Sequence, residues 1–170
     1  MSRLTLIPAL VAGLLVSTTN SAWAADYVTI QKVVEVSAPA DAVWARVGGY
    51  CAIADWMKTS CEYVSGSGGV GTVRRILNGT VQEAMVAQTA RSYTYWQTQG
   101  SMAVAAYHGT LAAEPLGAGR TRLTYTLFYD QAAFPSEEVR KAQHDRLDGR
   151  FQGFLEVMKA MAEPPAGGKP

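Results

Sequence analysis

Alternation of apolar and polar residues governs the middle of this chain. It extends over about seventy residues that follow Met57, a segment in which helical periodicity is lost. Glycine-rich or polar turns interrupt it at residues 65–69, 78–79, 89–90, 99–101 and 116–119. The pattern predicts six consecutive strands joined by short connections, which is typical of an antiparallel meander.

A strand and two short helices are predicted before this meander. Residues 27–37 are rich in β-branched residues and predict a first strand. Residues 41–47 place apolar side chains on one helical face, and Gly48 and Gly49 end that helix. Residues 51–57 predict a second, shorter helix. The first strand adds a seventh member to the predicted sheet.

A single long helix is predicted after the meander. Ser136 is a suitable N-cap, and the carboxylates of Glu137 and Glu138 complement the helix dipole in the first turn. Apolar residues then recur at helical spacing: Val139, Leu147, Phe151, Phe154, Leu155 and Met158. A helix of about 25 residues spans about 37 Å, enough to cross the concave face of a curved sheet. The predicted fold is therefore α+β, a curved seven-stranded antiparallel sheet with two short helices and a long C-terminal helix over a cavity.

The first 24 residues have the layout of a secretory signal peptide. Arg3 precedes an apolar run at residues 4–16, and a polar stretch then leads to the small-residue site Ala-Trp-Ala at residues 22–24. The run is short for a membrane span, so a retained anchor is the weaker interpretation. We expect cleavage after Ala24, a periplasmic or secreted protein, and no stable membrane anchor.

Composition favours one compact domain, which we assign to residues 25–163, with a flexible tail at residues 164–170. The chain has 170 residues, of which 48% are apolar and 17% charged, so it can bury a substantial core. Loss of the leader removes one basic residue, Arg3, and leaves 14 basic and 14 acidic residues. A neutral chain argues against nucleic acid or an anionic membrane as partner.

Cys51 and Cys61 are the only cysteines of the sequence. Disulfides persist outside the cytosol, and a bond between these two would close a loop of about ten residues and stabilise the fold by roughly 3 kcal/mol. Two buried free thiols are the alternative. A metal site is not expected, because two cysteines without a nearby histidine fall short of a ligand set. No cofactor is predicted.

The Asn-Gly turn at residues 78–79 sets the register of a hairpin. A two-residue type I′ turn there places Arg74 directly opposite Glu83, on one face with Ile76, Val81 and Met85. This face is the more apolar one and is assigned to the cavity. Each charge would need the other there, either as a structural pair or as one that orients a ligand or serves as acid or base. The alternative is a surface pair with Arg75 in the interior.

Tyrosines form the second group of candidate residues. Alternation in the last strand predicts one inward face, made of Leu123, Tyr125, Leu127 and Tyr129. Tyr93 and Tyr95 share a face in the same way, opposite Trp96. Their hydroxyls either orient a ligand or belong to rings that simply fill the space beneath the long helix.

Three further side chains, of Trp56, His108 and His144, bear on function. Trp56 ends the second short helix and is placed at the cavity mouth, either as a gate or as a packing aromatic. His108 has acid/base capacity, but alternation with Tyr107 and Leu111 predicts that it points outward. His144 is predicted on the solvated face of the long helix.

Several stretches resemble the SRPBCC superfamily, most closely the polyketide cyclase/dehydrase-like branch of the START and pollen-allergen helix-grip fold. They are Ala38-Pro39 with Val43-Trp44, Cys61-Glu62-Tyr63, the GTVRR of residues 71–75, Glu83, the ARSYTY of residues 90–95, and Tyr107 with Thr110-Leu111 and Glu114-Pro115. The resemblance spans about residues 28–162. It implies a helix-grip domain with a deep, largely apolar cavity for lipids, hormones, polyketides or other hydrophobic molecules, and a minority of members act as cyclases, dehydratases or hydrolases.

Three functional hypotheses follow. The first is binding of a small hydrophobic molecule or lipid in the cavity. The second is that the protein is an accessory protein of a periplasmic oxidoreductase. The resemblance implies this because some secreted members of the superfamily look like such accessory proteins. The third is a cyclase- or dehydratase-like enzyme that uses Glu83, Arg74 and a cavity tyrosine. The residues predicted to contact the ligand are Trp56, Arg74, Ile76, Val81, Glu83, Met85, Tyr93, Tyr95, Tyr107, Tyr125, Leu127, Tyr129, Phe151 and Leu155.

Overall fold

The computed structural model describes residues 24–163. The predicted leader, up to residue 23, and the predicted tail at residues 164–170 lie outside the described residues. Within the described range, no helix is both long and apolar enough to cross a membrane.

The predicted order of elements is confirmed: a strand, two short helices, six strands and a long helix. The elements are β1 (Tyr27–Val36), α1 (Ala40–Val47), α2 (Ile53–Met57), β2 (Cys61–Ser65), β3 (Val73–Ile76), β4 (Val81–Thr89), β5 (Ser92–Gln99), β6 (His108–Gly117), β7 (Arg120–Asp130) and α3 (Glu137–Ala162). Short 3-10 turns lie at Ala103–Ala105 and Gln131–Ala133.

All seven strands form one antiparallel sheet in the order β1-β7-β6-β5-β4-β3-β2. The six later strands pair as a meander, and β1 returns to pair with β7 from Tyr27 opposite Asp130 to Val36 opposite Thr121. Register shifts in the β4–β5 pair lie between Gln82 and Glu83 and again between Met85 and Ala87. Such bulges bend a strand and increase its twist. They therefore curve the sheet next to Glu83.

Helix α3 has 26 residues and begins as predicted, with the Ser136 hydroxyl accepting a hydrogen bond from the Val139 backbone N–H at 3.2 Å. It packs against β1, β7, α1 and α2. Its buried face consists of Leu147, Phe151, Leu155 and Met158. Val139, predicted on the apolar face, is instead 41% exposed. Lys32 on β1 holds the middle of the helix through an ion pair with Asp148 at 2.9 Å.

The inward faces of the strands are those that alternation predicts. Leu123, Tyr125, Leu127 and Tyr129 are all fully buried, and Tyr93 and Tyr95 are buried beside them. Trp96 lies on the opposite face and is 43% exposed. The inward-facing residues form a core between the concave side of the sheet and the three helices.

Cys51 and Cys61 form a disulfide, with a Cα–Cα distance of 5.5 Å. The alternative of two free thiols is therefore wrong. Cys51 lies just before α2, and Cys61 is the first residue of β2, so the bond ties the loop after α1 to an edge strand of the sheet.

Candidate functional site

A cavity of about 90 Å³ lies between α3 and the inner face of the sheet. Its lining residues come from α2, the β3–β4 hairpin, β5, β7, α3 and the segment before β6. They are Ile53, Met57, Ile76, Leu77, Val81, Glu83, Tyr95, Gln97, Ser101, Met102, Tyr107, Tyr125, Arg146, Leu147, Arg150, Phe151 and Phe154. The predicted cavity is present. It is smaller than the deep cavity that the resemblance implies, because buried tyrosines and Phe151 occupy much of the space beneath the helix.

The Asn78-Gly79 turn gives the predicted register. Both residues have positive φ, 53° and 90°, as a type I′ turn requires, and the Thr80 N–H donates to the Leu77 carbonyl at 3.2 Å. Arg74 therefore pairs directly with Glu83 across the hairpin. Leu77 also has positive φ, 52°, which the sequence did not indicate.

Arg74 and Glu83 form a buried ion pair, with 0% and 4% of their surfaces exposed. The Nε and Nη2 atoms of Arg74 lie 2.7 and 2.6 Å from Oε2 of Glu83. The alternative of a surface pair is therefore wrong. Arg75, which that alternative placed inside, pairs at 2.9 Å with Glu62 of the neighbouring strand β2, and both side chains are exposed.

Three tyrosine rings surround the Arg74 guanidinium. Its central carbon lies 4.1 Å from the ring centre of Tyr50, 5.0 Å from that of Tyr95 and 5.7 Å from that of Tyr93. The remaining nitrogen, Nη1, donates to the Tyr50 carbonyl oxygen, and the Tyr50 hydroxyl donates to the Glu83 carbonyl oxygen at 3.0 Å. Stacking on aromatic faces and hydrogen bonding suit a guanidinium better than an ammonium. Arg74 is thus enclosed and does not line the cavity, whereas Glu83 does.

Burial raises the pKa of the Glu83 carboxyl, and the Arg74 guanidinium opposes that increase. Both contacts with Arg74 use Oε2, and among the described residues Oε1 has no hydrogen-bond partner. A carboxyl with one oxygen held and a raised pKa is suited to exchange a proton with a molecule in the cavity.

Three tyrosine hydroxyls form a chain along the cavity wall. The Tyr125 hydroxyl donates to that of Tyr95 at 3.1 Å, and the Tyr95 and Tyr107 hydroxyls lie 3.4 Å apart. Burial raises the pKa of each of these tyrosines above its ordinary value. The hydroxyls are therefore neutral at physiological pH and act as hydrogen-bond donors and acceptors rather than as phenolate bases.

The predicted ligand-contact residues separate into two groups. Those on the cavity wall are Ile76, Val81, Glu83, Tyr95, Tyr107, Tyr125 and Phe151. Those that do not line it are Trp56, Arg74, Met85, Tyr93, Leu127, Tyr129 and Leu155. The second group is buried, so alternation found the inward face correctly. Alternation could not show which inward side chains pack against one another and which border the open space.

Trp56 is not a gate. It is 2% exposed, and its ring lies 6.3 Å from that of Tyr125 and 5.5 Å from that of Phe154. Both neighbours line the cavity. Trp56 therefore packs behind the wall, because α2 turns its side chain into the core rather than toward solvent.

The two histidines take the positions that the sequence predicts. His108 lies on the outer face, where its Nδ1 contacts the Ala106 carbonyl oxygen at 2.7 Å and its ring stacks on Trp96. His144 is on α3, 3.5 Å from Asp145. Within residues 24–163, no cluster of three or more His, Cys, Asp or Glu side chains could hold a metal ion.

Tyr50, which covers Arg74, was not predicted as part of the site. Ten lining residues were not predicted as ligand contacts either: Ile53, Met57, Leu77, Gln97, Ser101, Met102, Arg146, Leu147, Arg150 and Phe154. Tyr50 lies in the loop between α1 and α2, where no periodicity applies, and its position next to Cys51 was the available signal. Arg146 and Arg150 line the cavity from α3, close to His144 on the helix face that was predicted to be solvated. Each directly precedes a buried residue, Leu147 or Phe151, so they lie at the edge of the apolar stripe. That spacing was visible in the sequence.

Residues 27–163 match the family model described as polyketide cyclase/dehydrase and lipid transport. The chain belongs to this family. It thus has the helix-grip fold of the SRPBCC superfamily, as the resemblance implied. A search of the curated proteins finds no match.

Solved structures of low sequence identity share this fold. The Zhui aromatase/cyclase from a Streptomyces species is 22% identical, with a TM-score of 0.68 and coverage of 85% of this chain and 100% of that one. A solution structure from Thermobifida fusca is 24% identical, with a TM-score of 0.67 and coverage of 77% and 90%. Norcoclaurine synthase from Thalictrum flavum, in complex with a transition-state analogue, is 17% identical, with a TM-score of 0.61 and coverage of 82% and 96%. At these identities the likeness concerns the fold alone.

Proposed function

We propose that this protein binds a small hydrophobic molecule in the cavity between α3 and the sheet. The observation that carries the proposal is the composition of the cavity wall. Apolar side chains such as Ile53, Ile76 and Phe154 make up most of it, and the hydroxyls of Tyr95, Tyr107 and Tyr125 form one hydrogen-bonded group. Small-molecule sites combine apolar walls with a few polar groups in this way.

The size of the cavity limits the ligand. An engineered cavity of about 150 Å³ accommodates benzene, and the cavity here is about 90 Å³. A lipid chain would therefore require α3 or its side chains to move. A ligand fits with little rearrangement when its enclosed part is smaller than a whole benzene ring, such as a short branched chain or one edge of a ring.

A cavity-filling variant tests this proposal. Val81→Phe adds a ring inside the cavity, whereas Val86→Phe, on the same strand, adds one at a position that is 44% exposed. Neutral probes such as phenol, indole and benzaldehyde should stabilise the wild type and Val86→Phe, by about 2.7 kcal/mol at 100 times the Kd. Val81→Phe should lose this effect in thermal-shift measurements. Equal shifts in both variants, or none in the wild type, would contradict the proposal.

We further propose a periplasmic or secreted location. The signal-peptide layout of residues 1–24 and the disulfide between Cys51 and Cys61 support it, because disulfides are rare in the cytosol. Cell fractionation followed by N-terminal sequencing should yield a mature chain that begins at Ala25. A cytosolic chain that retains Met1 would contradict this location.

A cyclase- or dehydratase-like activity is the second candidate function. Glu83 favours it, since its carboxyl lines the cavity and has a raised pKa. Glu83 would exchange a proton with the substrate, and Arg74 would hold the Glu83 carboxyl in position. The Tyr95 hydroxyl would donate a hydrogen bond to a carbonyl oxygen of the substrate. With an aromatic polyketide or β-hydroxy ketone as substrate, Glu83→Gln should lower kcat by about 10²–10⁴. Glu114→Gln on the exposed side of the sheet is the matched control.

The accessory-protein hypothesis stays a prediction, supported by an aromatic row on the outer face. Tyr27 stacks on Phe128 with ring centres 4.7 Å apart, and His108 lies between Phe128 and Trp96. Exposed aromatic residues are enriched at protein interfaces. A complex isolated from the native periplasm that persists in Val81→Phe and is lost in Trp96→Ala would support this hypothesis. Failure to capture a partner, or a complex that Trp96→Ala leaves intact, would count against it.

A further inference from the structure

The mouth of the cavity carries two positive charges from one helix. Arg146 and Arg150 are four residues apart on α3, both are exposed, and both line the cavity. The Arg146 Nε donates to the Gln143 side chain at 3.2 Å, and the Arg150 guanidinium lies 5.4 Å from the ring centre of Phe154. Both guanidinium groups therefore remain available for further hydrogen bonds at the opening.

The acidic side chains nearby on α3 are already engaged. Asp145 pairs with Lys141 at 2.5 Å, and Asp148 pairs with Lys32 at 2.9 Å. Across the described part of the chain, neither Arg146 nor Arg150 takes part in an ion pair. The protein thus places two uncompensated cations beside an apolar opening, where an anionic group would find complementary charge.

The inner end of the cavity disfavours an anionic group, unlike the mouth. Glu83 is the only carboxyl among the described lining residues, and its ionised form would repel a second anion. The Tyr95, Tyr107 and Tyr125 hydroxyls are neutral and offer hydrogen bonds to a hydroxyl or carbonyl group. An anionic ligand therefore has one favourable orientation, with its charge toward α3 and away from Glu83.

The volume of the cavity favours the same orientation of the ligand, with its charged group at the mouth. At about 90 Å³, the interior takes only the apolar part of a small ligand. The rest of such a ligand must lie at the mouth, within reach of the long side chains of Arg146 and Arg150. A guanidinium binds a carboxylate through two parallel hydrogen bonds, which fixes the orientation of the ligand as well as its charge.

We propose that the ligands of this cavity are small carboxylic acids with an aryl or branched alkyl tail. The tail enters the cavity, and the carboxylate pairs with Arg146 and Arg150. This inference rests on the proposed function, since it assumes that the cavity binds a ligand, and it adds the chemical class of that ligand.

Matched acid and amide probes test the inference by isothermal titration calorimetry at low salt. The pairs are benzoate and benzamide, 3-phenylpropanoate and 3-phenylpropanamide, and 4-methylpentanoate and 4-methylpentanamide. Each pair keeps the tail and changes only the charge. For the pair that binds best, we expect the acid to bind about ten-fold more tightly than the amide.

The double variant Arg146→Gln/Arg150→Gln should reduce this preference to less than about two-fold while amide binding is retained. Arg120→Gln/Arg122→Gln removes the same charge from the exposed pairs with Glu35 and Glu114, and it should keep the full preference. Added salt should weaken the binding of the acid and leave the binding of the amide unchanged.

The outcomes separate this inference from the proposed function. Equal binding of acid and amide in every pair overturns the inference and leaves a cavity that binds neutral molecules. A preference for the acid that survives in Arg146→Gln/Arg150→Gln also overturns it. Absence of binding by all six probes, together with no thermal shift from neutral aromatics, overturns both proposals.

Discussion

Arg74 and Glu83 show how a small domain keeps charge in its core. Taking two charges out of water costs several kcal/mol per ion, and mutual attraction offsets this only with good geometry and further hydrogen bonds. Here the guanidinium has a carboxylate, a backbone carbonyl and three aromatic rings around it. The register of the Asn78-Gly79 turn predicted the partner, and the apolar face predicted an interior position. Neither showed how the pair is covered, because Tyr50 closes over it from a loop.

Removal of either partner alone should be costly, and Glu83→Leu should cost more than Arg74→Met. A guanidinium cannot lose its charge in a protein, whereas a carboxyl left alone takes up a proton. We expect about 3–5 kcal/mol for Glu83→Leu in urea unfolding, and less for Arg74→Met. The double variant Glu83→Leu/Arg74→Met should lower the free energy of unfolding by less than the sum of the two single effects. Additive effects would show that the two charges do not depend on each other.

The stability of the fold should also carry a pH signature from Glu83. Because burial raises the pKa of this carboxyl, the folded chain holds a proton in a pH range where the unfolded chain has lost it. The contribution of Glu83 is therefore full below the ordinary pKa of 4.5 and declines as pH rises through the folded value. Urea unfolding between pH 4 and pH 8 should show this decline in the wild type. The difference between wild type and Glu83→Gln isolates it, and a difference that is constant with pH would contradict the assignment.

At the scale of elements, strand order and register were largely predictable from local sequence. The Asn78-Gly79 turn fixed the β3–β4 register, and period-two alternation fixed the inward face of β7. The N-cap of α3 was identified at Ser136. These features depend on a few neighbouring residues. The volume left beneath α3 depends on how side chains from several elements meet, so the sequence could not give it.

Helix α3 contains two glycines whose replacement should stabilise the protein. Gly149 and Gly153 are exposed, and a Cβ at either position would have no heavy atom within 4 Å. Glycine in a helix interior costs about 0.5–1 kcal/mol relative to alanine. Gly149→Ala and Gly153→Ala should therefore each raise the free energy of unfolding by about that amount, measured by urea titration.

Gly109→Ala is the contrasting control. A Cβ there would collide with the Tyr95 ring, so this change should destabilise the fold and displace the hydroxyl that links Tyr107 and Tyr125. Stabilisation by Gly109→Ala would show that Tyr95 can move aside without loss. A loss of stability from Gly149→Ala would show that α3 needs flexibility at that position.

At the scale of the whole molecule, one covalent bond supports the candidate site. The disulfide between Cys51 and Cys61 holds the loop that carries Tyr50 against β2, and Tyr50 covers Arg74. The sequence left this bond open beside two free thiols, because pairing depends on Cα positions in the folded chain.

The double variant Cys51→Ser/Cys61→Ser should lose roughly 3 kcal/mol of stability, since the open loop regains entropy in the unfolded state. Urea unfolding under oxidising conditions measures this loss. Wild type treated with reductant should match the variant, which excludes an effect of the serines themselves. Unchanged stability in both samples would show that packing alone holds the loop.

Trp56 also gives the protein an internal optical reporter. Its indole contacts the rings of Tyr125 and Phe154, which border the cavity, and is itself shielded from solvent. In a Trp44→Phe/Trp96→Phe variant, it is the remaining tryptophan of residues 24–163. Emission from such an indole responds to changes in the polarity and packing of its surroundings. Binding of a ligand in the cavity should therefore change Trp56 fluorescence and can be followed in real time, without any dye attached to the protein.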